Sequence, residues 1–484
     1  MSHTNHYDFA ILGGGSAGYA AARTAASLKL RTVLIDSAAE LGGLCILRGC
    51  MPSKTLIESA NRNLTIRHAA TFGLRAQSGE ADIRAIRDRK RFLIDDFASY
   101  RQQQLQDGRF DLIRGQASFE GSDEQTIKLQ IDIPDQDAFV ITAGTVLIAT
   151  GSSVQIPDIP GLKETGFWTS DTILDTDHLP ESFTVLGGGA IALEMAHYLE
   201  GIGRKVTIVQ RNEQLLRGMD ADIAETIETA FKARGITVHT NTQITQVERI
   251  GNRKKLTYLD QVTGSPHEVE SDEILVALGR SPNTAKLNLS TCGIEANRNG
   301  QIKAAPTQQT SHPRVFAAGD VCGPLEVVHL AIQQGETAAK NAAQMLAGKA
   351  PSHTMDYRCQ LYGIFTEPQI AVVGLSETEA REKNVPHISA SYPFDDHGKS
   401  MVMGETQGFV KLIADPSTGK LLGAAVIGPE ATELIHQPAI ALHLNADVGQ
   451  LVTAPWYHPT LSEIWSYPAE DLQDAVASLN TPQD

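Results

Sequence analysis

The apolar positions of one early segment predict a strand, a helix and a second strand. The apolar run Phe9–Leu12 precedes a glycine-rich turn, an alanine-rich stretch follows the turn, and a second apolar run, TVLI, ends at Asp36. Short apolar runs of this kind are typical of strands buried in a parallel sheet, and the strand–helix–strand order is that of a βαβ unit. This part of the sequence therefore predicts an α/β fold.

The turn of this unit contains a glycine fingerprint. Gly13, Gly15 and Gly18 have the spacing Gly-x-Gly-x-x-Gly. Such glycines let the backbone approach a pyrophosphate at the start of a helix, and an acidic residue about 20 positions later accepts hydrogen bonds from ribose hydroxyls. Asp36 lies at the position of that acid. A glycine-rich turn without a ligand is the alternative, but the complete unit favours a dinucleotide site.

The same pattern occurs a second time, with a different end. The segment FTVLGGGAIALEMAHYLEGIGRKVTIVQR contains Gly187, Gly189 and Ala192, and its second strand ends at Gln210, followed by Arg211. Two such units predict two bound dinucleotides.

The residues after the second strand of this second βαβ unit indicate which nucleotide binds. Arg217 lies six residues after Arg211, and no acid stands at the end of the strand. An acid there would repel a 2′-phosphate, whereas arginine binds a phosphate through two hydrogen bonds. We therefore expect NADPH to be preferred, with NADH as the other candidate. Both arginines could instead be surface residues without a ligand.

Composition and charge exclude several classes of protein. A chain of 484 residues suggests about three domains, and 42% hydrophobic with 20% charged residues is a globular composition. The net charge of -16 argues against binding to a nucleic-acid backbone. The basic cluster Arg84–Arg91 has apolar positions at helical spacing, which predicts a solvated helix face. Without an apolar run of bilayer length or a signal pattern, we expect a cytoplasmic protein.

Two of the five cysteines form a close pair. Cys45 and Cys50 lie five positions apart in LGGLCILRGCMPSK. In a reducing compartment such a pair is redox-active or binds a metal. A metal needs about four ligands, and the other three cysteines are widely scattered, so we expect no metal site. Those three, Cys292, Cys322 and Cys359, are expected to be ordinary buried cysteines.

The two βαβ units and the cysteine pair together resemble the class I flavoprotein disulfide reductases, a family that includes dihydrolipoamide dehydrogenase, glutathione reductase and mercuric reductase. The resemblance covers essentially the whole chain and includes the segments LIATGSSVQIPDIPG, ALGRSPNT, TSHPRVFAAGD, FTEPQIAVVGLSETEA, GFVKLIAD and HPTLSE. It implies an α/β fold with two Rossmann-like domains, for FAD and NAD(P), and an α+β C-terminal dimerisation domain. The implied boundaries are 1–157 (FAD, first part), 158–277 (NAD(P)), 278–350 (FAD, second part) and 351–484 (dimerisation).

The resemblance also implies roles for particular residues. NADPH would reduce FAD, and FAD would reduce a Cys45–Cys50 disulfide. Cys50 would be the charge-transfer thiolate next to the flavin, and Cys45 would attack the substrate. Lys54 would pair with Glu194 beside the flavin's reactive nitrogen.

The motif HPTLSE supplies an acid–base group. His458 would move protons at neutral pH, and Glu463 would orient its ring. In relatives this histidine reaches into the active site of the partner subunit, so an obligate homodimer is implied. The nucleotide-binding positions expected from all these motifs are Gly13, Gly15, Gly18, Asp36, Gly43, Lys54, Thr150, Gly151, Gly187, Gly189, Ala192, Arg211, Arg217, Gly279, Gly319 and Asp320.

The redox loop differs from that of its relatives. Leu44, Leu47 and Arg48 stand where those proteins generally have Thr or Val, asparagine and a small apolar residue. Arg48 would stabilise a thiolate, bind an anionic group of the substrate, or face solvent.

We expect an FAD-dependent, NADPH-preferring oxidoreductase that acts on a small disulfide. Dihydrolipoamide dehydrogenase is the second candidate. A mercuric-reductase-like enzyme and an NAD(P)H oxidase or quinone reductase are further candidates, although the sequence lacks the C-terminal cysteine pair of mercuric reductases and contains His458.

Overall fold

The computed structural model describes residues 6–77 and 79–481, and the chain divides into two compact units. The first unit combines the segment that ends at Ser53 with Asp88–Gln155 and Arg280–Asp356. The second combines Lys54–Arg87, Ile156–Gly279 and the segment from Tyr357 onward. The four domain boundaries expected from the sequence stay predictions.

The strands of the described residues are numbered in chain order. They are β1 (His6–Leu12), β2 (Thr32–Asp36), β3 (Asp111–Arg114), β4 (Gln116–Ser122), β5 (Ile127–Asp132), β6 (Phe139–Ile148), β7 (Ser152–Val154), β8 (Trp168–Thr169), β9 (Ser182–Leu186), β10 (Lys205–Val209), β11 (Thr237–His239), β12 (Thr242–Ile250), β13 (Arg253–Asp260), β14 (Pro266–Ser271), β15 (Glu273–Val276), β16 (Arg280–Pro282), β17 (Val315–Ala317), β18 (Leu361–Ile364), β19 (Gln369–Gly374), β20 (Ile388–Pro393), β21 (Phe409–Ala414) and β22 (Leu421–Gly428).

The α-helices of the same residues are numbered likewise. They are α1 (Ser16–Ser27), α2 (Leu44–Leu47), α3 (Cys50–Arg67), α4 (Ile83–Leu105), α5 (Leu162–Thr165), α6 (Ala190–Gly201), α7 (Ala221–Ala233), α8 (Val328–Leu346), α9 (Glu377–Glu382), α10 (Gly398–Met403), α11 (Ala431–Leu434), α12 (His436–His443), α13 (Val448–Val452) and α14 (Ser466–Asn480). Short 3-10 helices lie at Ala69–Phe72, Thr172–Asp175, Leu289–Cys292, Phe394–Asp396 and Ser462–Trp465.

The first unit is built on a seven-stranded sheet with the order β3-β2-β1-β6-β5-β4, in which β17 also pairs with β6. Strand β1 pairs in parallel with both β2 and β6. Phe9, Ala10 and Ile11 of β1 are completely buried. A strand covered on both faces needs such a continuous apolar run, which explains the pattern in the sequence.

Helix α1 packs closely against helix α8 in this unit. A Cβ on Gly335 would overlap the carbonyl oxygen of Ala17, so only glycine permits this approach of the two helices. Ala21, Ala22 and Ala338 are completely buried in the same apolar cluster. Small side chains along α1 therefore hold the helix, and the glycine turn before it, in a fixed place.

The second unit contains two larger sheets and one smaller one. The parallel sheet β11-β10-β9-β15-β8 carries the second glycine fingerprint, and the antiparallel sheet β18-β19-β22-β21-β20 belongs to the C-terminal part of the chain. Strands β12, β13 and β14 form the third sheet. The predicted fold class, two Rossmann-like α/β folds with an α+β C-terminal domain, is confirmed.

The basic cluster on helix α4 is only partly solvated. Arg84, Arg89 and Arg91 are exposed, but Lys90 is buried. The prediction of a solvated face is wrong for Lys90. This residue lies seven positions after the buried Ile83, so the helical repeat puts both on one face.

No helix within residues 6–77 and 79–481 combines the length and the apolar character needed to cross a membrane.

Candidate active site

A cavity of about 770 Å³ lies in the first unit, within the size range of small-molecule sites. Many of the residues expected to bind FAD, and both cysteines of the close pair, line this one cavity. Those lining residues are Gly13, Gly15, Asp36, Gly43, Cys45, Cys50, Thr150, Gly151, Gly319 and Asp320.

The first fingerprint forms one wall of the cavity. A Cβ on Gly13 would overlap the carbonyl oxygen of Ala149, and a Cβ on Gly18 would overlap that of Gly13. Gly13 also has a φ of 106°, a conformation that favours glycine. The Cβ of Gly15 would meet no atom closer than 4.0 Å, so this residue borders open space. The turn is thus tight toward the protein and open toward the cavity, as a pyrophosphate site requires.

Asp36 is the last residue of β2 and is fixed by two backbone amides. Its Oδ2 accepts a hydrogen bond from the amide of Gly14, and its Oδ1 accepts one from the amide of Ala38, both at 2.7 Å. A carboxylate has about four acceptor sites, so two remain for the hydroxyls of a ribose. Asp36 therefore presents a carboxylate to the cavity.

A network that the sequence did not predict holds Asp320. The hydroxyl of Ser152 donates to Oδ2 of Asp320 at 2.7 Å, and Nε of Arg280 donates to the same hydroxyl at 2.8 Å. The amide of the neighbouring Gly319 donates to Oε1 of the completely buried Gln334 at 2.7 Å. Ser152 lies in the segment LIATGSSVQIPDIPG, and Arg280 lies in ALGRSPNT. Only the pairing of β7 with β16 shows that these two residues fix the carboxylate of Asp320.

Glu326 is a second carboxyl on the cavity wall that the sequence did not predict. Burial raises the pKa of Glu326, the charge of Asp320 raises it further, and Arg280 opposes this effect.

The residues around this cavity fit FAD. A glycine turn open to the cavity, a carboxylate at the end of β2 and a second fixed carboxylate at Asp320 match the pyrophosphate, ribose and ribityl parts of that molecule.

The two cysteines lie on two consecutive helices at this cavity. Cys45 is half-buried in α2, and Cys50 is the exposed first residue of α3. A helix N-terminus stabilises a nearby thiolate. Pro52 lies in the first turn of α3, where its missing amide costs no helical hydrogen bond. Arg48 also lines the cavity and is exposed.

The remaining cysteines have other environments. Cys292 is buried as expected, but Cys322 and Cys359 are half-buried, so the prediction was wrong for these two. Burial raises the pKa of Cys292, and burial with the charge of Asp320 raises that of Cys322 to about 12. These two thiols are therefore poor nucleophiles at neutral pH. In the part of the chain that the structure describes, no three His, Cys, Asp or Glu side chains are placed to hold a metal.

Arg101, on helix α4, lies in the electrostatic neighbourhood of Cys45. Its guanidinium lies 4.1 Å from the centre of the Tyr19 ring, and its Nε is buried without a hydrogen-bond partner among the described residues. Burial lowers the pKa of Arg101, while the charges of Tyr19 and Cys45 oppose this effect. No sequence pattern indicates this arginine, because nothing in the helical repeat separates it from the exposed arginines earlier in α4.

The second fingerprint has the same backbone geometry as the first. Gly187 has a φ of 117°, and its Cβ would overlap the carbonyl oxygen of Ala277, as that of Gly13 would overlap Ala149. Gly189 borders open space, Ala192 is buried in α6, and Gly279 follows β15 with a φ of 112°.

Gln210 occupies the place that Asp36 has in the first fingerprint. A Cβ on Gly188 would lie 2.9 Å from Cδ of Gln210, just as a Cβ on Gly14 would lie 2.8 Å from Oδ2 of Asp36. Gln210 is buried, and its Oε1 accepts a hydrogen bond from the amide of Arg211 at 3.0 Å. The second site thus has an uncharged amide where the first has a carboxylate.

Arg211 and Arg217 follow this glutamine on the surface. Both side chains are exposed, and neither forms a salt bridge with any residue that the structure describes. Two cations without a protein counter-ion are available to an anionic ligand.

Lys54 and Glu194 form an ion pair in the second unit. Nζ of Lys54 lies 2.9 and 2.7 Å from the two carboxylate oxygens of Glu194 and 4.7 Å from the centre of the Phe365 ring. Glu194 is buried and also accepts a hydrogen bond from the amide of Phe365 at 3.1 Å. Their expected place beside a flavin stays a prediction.

His458 and Glu463 form a second pair in this unit. Nδ1 of His458 lies 3.1 and 3.0 Å from the two oxygens of Glu463. The carboxylate is buried, whereas the His458 side chain is 77% exposed. A carboxylate on Nδ1 places the proton of a neutral ring there and leaves Nε2 as the acceptor.

Comparison with known families agrees with this architecture. Residues 7–335 match the family model of pyridine nucleotide-disulphide oxidoreductases, and residues 362–469 match the dimerisation domain of the same family. The chain belongs to this family, and it is an FAD-dependent pyridine nucleotide-disulfide oxidoreductase.

Individual relatives span nearly the whole chain. It is 33% identical over 480 residues to a dihydrolipoyl dehydrogenase of Chlamydia pneumoniae, covering 99% of this chain and 98% of that protein. It is 32% identical to a mercuric reductase of Staphylococcus aureus, covering 98% of this chain and 84% of that protein. The crystal structure of LpdA from Mycobacterium tuberculosis superposes with a TM-score of 0.85 at 28% identity, covering 96% and 99% of the two chains.

Proposed function

We propose that the protein uses NADPH to reduce a small disulfide, with FAD in the first-unit cavity and NADPH at the second fingerprint. The choice of nucleotide rests on Gln210, which stands where the first fingerprint has an acid, and on the exposed Arg211 and Arg217, which form no salt bridge with any described residue. A 2′-phosphate gains two cationic partners there and meets no carboxylate.

FAD held by Gly13, Asp36 and Asp320 would supply the chemistry that takes a hydride from NADPH and reduces the Cys45–Cys50 disulfide by two electrons. The thiolate of Cys45 then attacks one sulfur of the substrate, forming a mixed disulfide and expelling a thiolate. Cys50 attacks the sulfur of Cys45, which releases the second thiol and restores the Cys45–Cys50 disulfide. Overall, one disulfide bond is broken and two thiols form, with NADPH oxidised to NADP⁺ as the source of both electrons and one additional proton taken up from solvent.

His458 supplies the proton for the expelled thiolate. Nδ1 of this ring contacts Glu463, whose buried carboxylate orients it. The start of α3 stabilises the thiolate of Cys50 between the two attacks.

We propose a homodimer whose active site is shared across subunits. Two observations support it: the matched dimerisation domain, and the exposure of the His458 ring within its own chain. An acid–base group that works on another subunit would be exposed in this way. We also place the enzyme in the cytoplasm, where a reducing environment suits a dithiol.

Dihydrolipoamide dehydrogenase activity is the second candidate. The observation in its favour is the name of several relatives that span the whole chain at 31 to 33% identity. That activity would involve NAD and the oxidation of a dithiol, so the choice of nucleotide separates the two candidates.

A steady-state panel tests the proposal. NADPH and NADH are each combined with glutathione disulfide, cystine, coenzyme A disulfide, lipoamide, a quinone and Hg(II). We expect turnover of a disulfide with NADPH at a higher kcat/KM than with NADH, and its loss in Cys45→Ser. Lipoamide turnover with an NADH preference would favour the second candidate. Disulfide turnover that survives in Cys45→Ser would overturn the proposed mechanism.

A further inference from the structure

A second histidine lies on the other side of Glu463. His397 is completely buried immediately before helix α10, and its Nε2 lies 3.6 Å from Oε1 of Glu463. Its Nδ1 lies 2.8 Å from the hydroxyl oxygen of Ser400, which is also completely buried. At this distance Nε2 faces the carboxylate without forming a hydrogen bond, and no other described residue offers it a hydrogen-bond partner. The Glu463 carboxylate therefore lies between a buried ring and an exposed ring.

The chemistry of the site selects one tautomer of His397. A neutral imidazole carries one N–H, and a lone pair on Nε2 would be repelled by the Glu463 carboxylate. The proton therefore belongs on Nε2, pointing at Glu463, and Nδ1 accepts a hydrogen bond from the hydroxyl of Ser400. The hydroxyl of Ser400 thus satisfies Nδ1, and the N–H on Nε2 faces the Glu463 carboxylate at 3.6 Å.

The surroundings keep this ring neutral. Burial lowers the pKa of His397, Glu463 acts in the opposite direction, and the nearby His458 lowers it again. Tyr467 of α14 is a further titratable group against the ring, at 6.3 Å between ring centres, and Phe394 covers another side at 6.4 Å. A neutral donor on a buried carboxylate withdraws part of the negative charge that would otherwise act on His458.

We propose that His397 is a positioning residue for the acid–base pair. Its buried ring and the ring of His458 both face the carboxylate of Glu463, so the negative charge of that carboxylate is shared between two imidazoles. This inference rests on the proposed role of His458. Without the N–H of His397 facing it, the Glu463 carboxylate would interact more strongly with the positive charge of a protonated His458 ring. In the direction of disulfide reduction the protonated ring is the active form, so the alkaline limb of kcat/KM would move upward.

The test is the pH profile of kcat/KM for disulfide reduction in the holoenzyme. We expect His397→Phe to move the alkaline limb upward, because the buried N–H that faces the Glu463 carboxylate is lost. His397→Gln can still point an N–H at Glu463 and should keep the wild-type limb. Ser400→Ala removes the donor to Nδ1 and should give a smaller shift in the same direction, which covers the case that His397→Phe does not fold.

A control variant distinguishes an effect on the acid–base pair from a general loss of stability. His197 is also completely buried, in α6 of the same unit, and is hydrogen-bonded to Asn61 and Arg234 rather than to the acid–base pair. His197→Phe should lower stability and leave the alkaline limb in place. An unmoved limb in folded His397→Phe and Ser400→Ala would overturn the inference. Full disulfide turnover in Cys45→Ser and His458→Gln would instead overturn the proposed function, so the two failures are distinct.

Discussion

Both carboxylate oxygens of Glu194 bind the ammonium of Lys54, at 2.9 and 2.7 Å, in a pair whose acid is 7% exposed and whose base is 29% exposed. Loss of one partner leaves the other partly buried without its counter-charge. We expect Lys54→Met to lower the free energy of unfolding by about 2 kcal/mol, less than for a fully buried pair because solvent reaches Lys54. Urea denaturation of the holoenzyme measures this change.

A double-mutant cycle isolates the interaction. Lys54→Met, Glu194→Gln and the double variant should give a coupling free energy of about 1 to 2 kcal/mol. The exposed pair Lys232–Glu228, 2.6 Å apart on α7, is the matched control and should couple by less than about 0.5 kcal/mol. Equal coupling in both pairs would contradict the special strength of the buried one.

The two arginines after Gln210 should affect one nucleotide only. We expect Arg211→Ala and Arg217→Ala each to raise the KM for NADPH by about 10- to 100-fold, the effect of losing a charge-assisted hydrogen bond to phosphate. The KM for NADH should change by less than about twofold, because NADH lacks the 2′-phosphate. Arg253→Ala, an exposed arginine of β13, is the control. Parallel losses with both nucleotides would rule out a phosphate contact.

Asp36 should contribute to FAD affinity through its charge. Asp36→Asn keeps the size of the side chain but turns one acceptor into a donor, which would then face a backbone amide. We expect FAD to bind about 10- to 100-fold more weakly, as measured by flavin fluorescence during reconstitution of the stripped protein. Asp132→Asn, an exposed acid of the same unit, should bind FAD normally. Unchanged affinity in Asp36→Asn would remove this residue from the site.

Acid should destabilise the protein partly through His197. Burial lowers the pKa of His197 well below 6.5, and the charge of Arg234 lowers it further. Below about pH 6.5, His197 binds a proton in the unfolded chain but stays neutral in the folded chain. The free energy of unfolding is therefore highest above that pH and falls as the pH drops below it. The loss of Tm between pH 7 and pH 5 should be smaller in His197→Gln than in the wild type. An identical acid slope would contradict a neutral ring in the fold.

Local patterns predicted the elements that carry the nucleotide sites. The run from Phe9 to Leu12 falls inside β1, and Asp36 is the last residue of β2. Both predictions succeed because a strand buried on two faces leaves a continuous apolar run, and a tight turn leaves its glycines, within about 30 consecutive residues.

Contacts between distant segments could not be predicted in the same way. Lys90 has the charge of its exposed neighbours, and only the turn of α4 shows that it faces inward with Ile83. His397 belongs to no motif that the sequence analysis recognised. Its contact with Glu463 depends on how the start of α10 packs against the segment after His458. Arg101 likewise depends on the contact of α4 with Tyr19.

The matched positions of Asp36 and Gln210 have a consequence for sorting two ligands that share an ADP half. Each fingerprint can cradle the same pyrophosphate, so the glycines alone would let FAD and NADPH compete for both clefts. In the proposed enzyme, the carboxylate of Asp36 repels a 2′-phosphate and so disfavours NADPH binding in the first cleft. Gln210, Arg211 and Arg217 favour NADPH binding in the second cleft. One residue at the end of one strand in each repeat would then keep the prosthetic group and the soluble coenzyme from exchanging places.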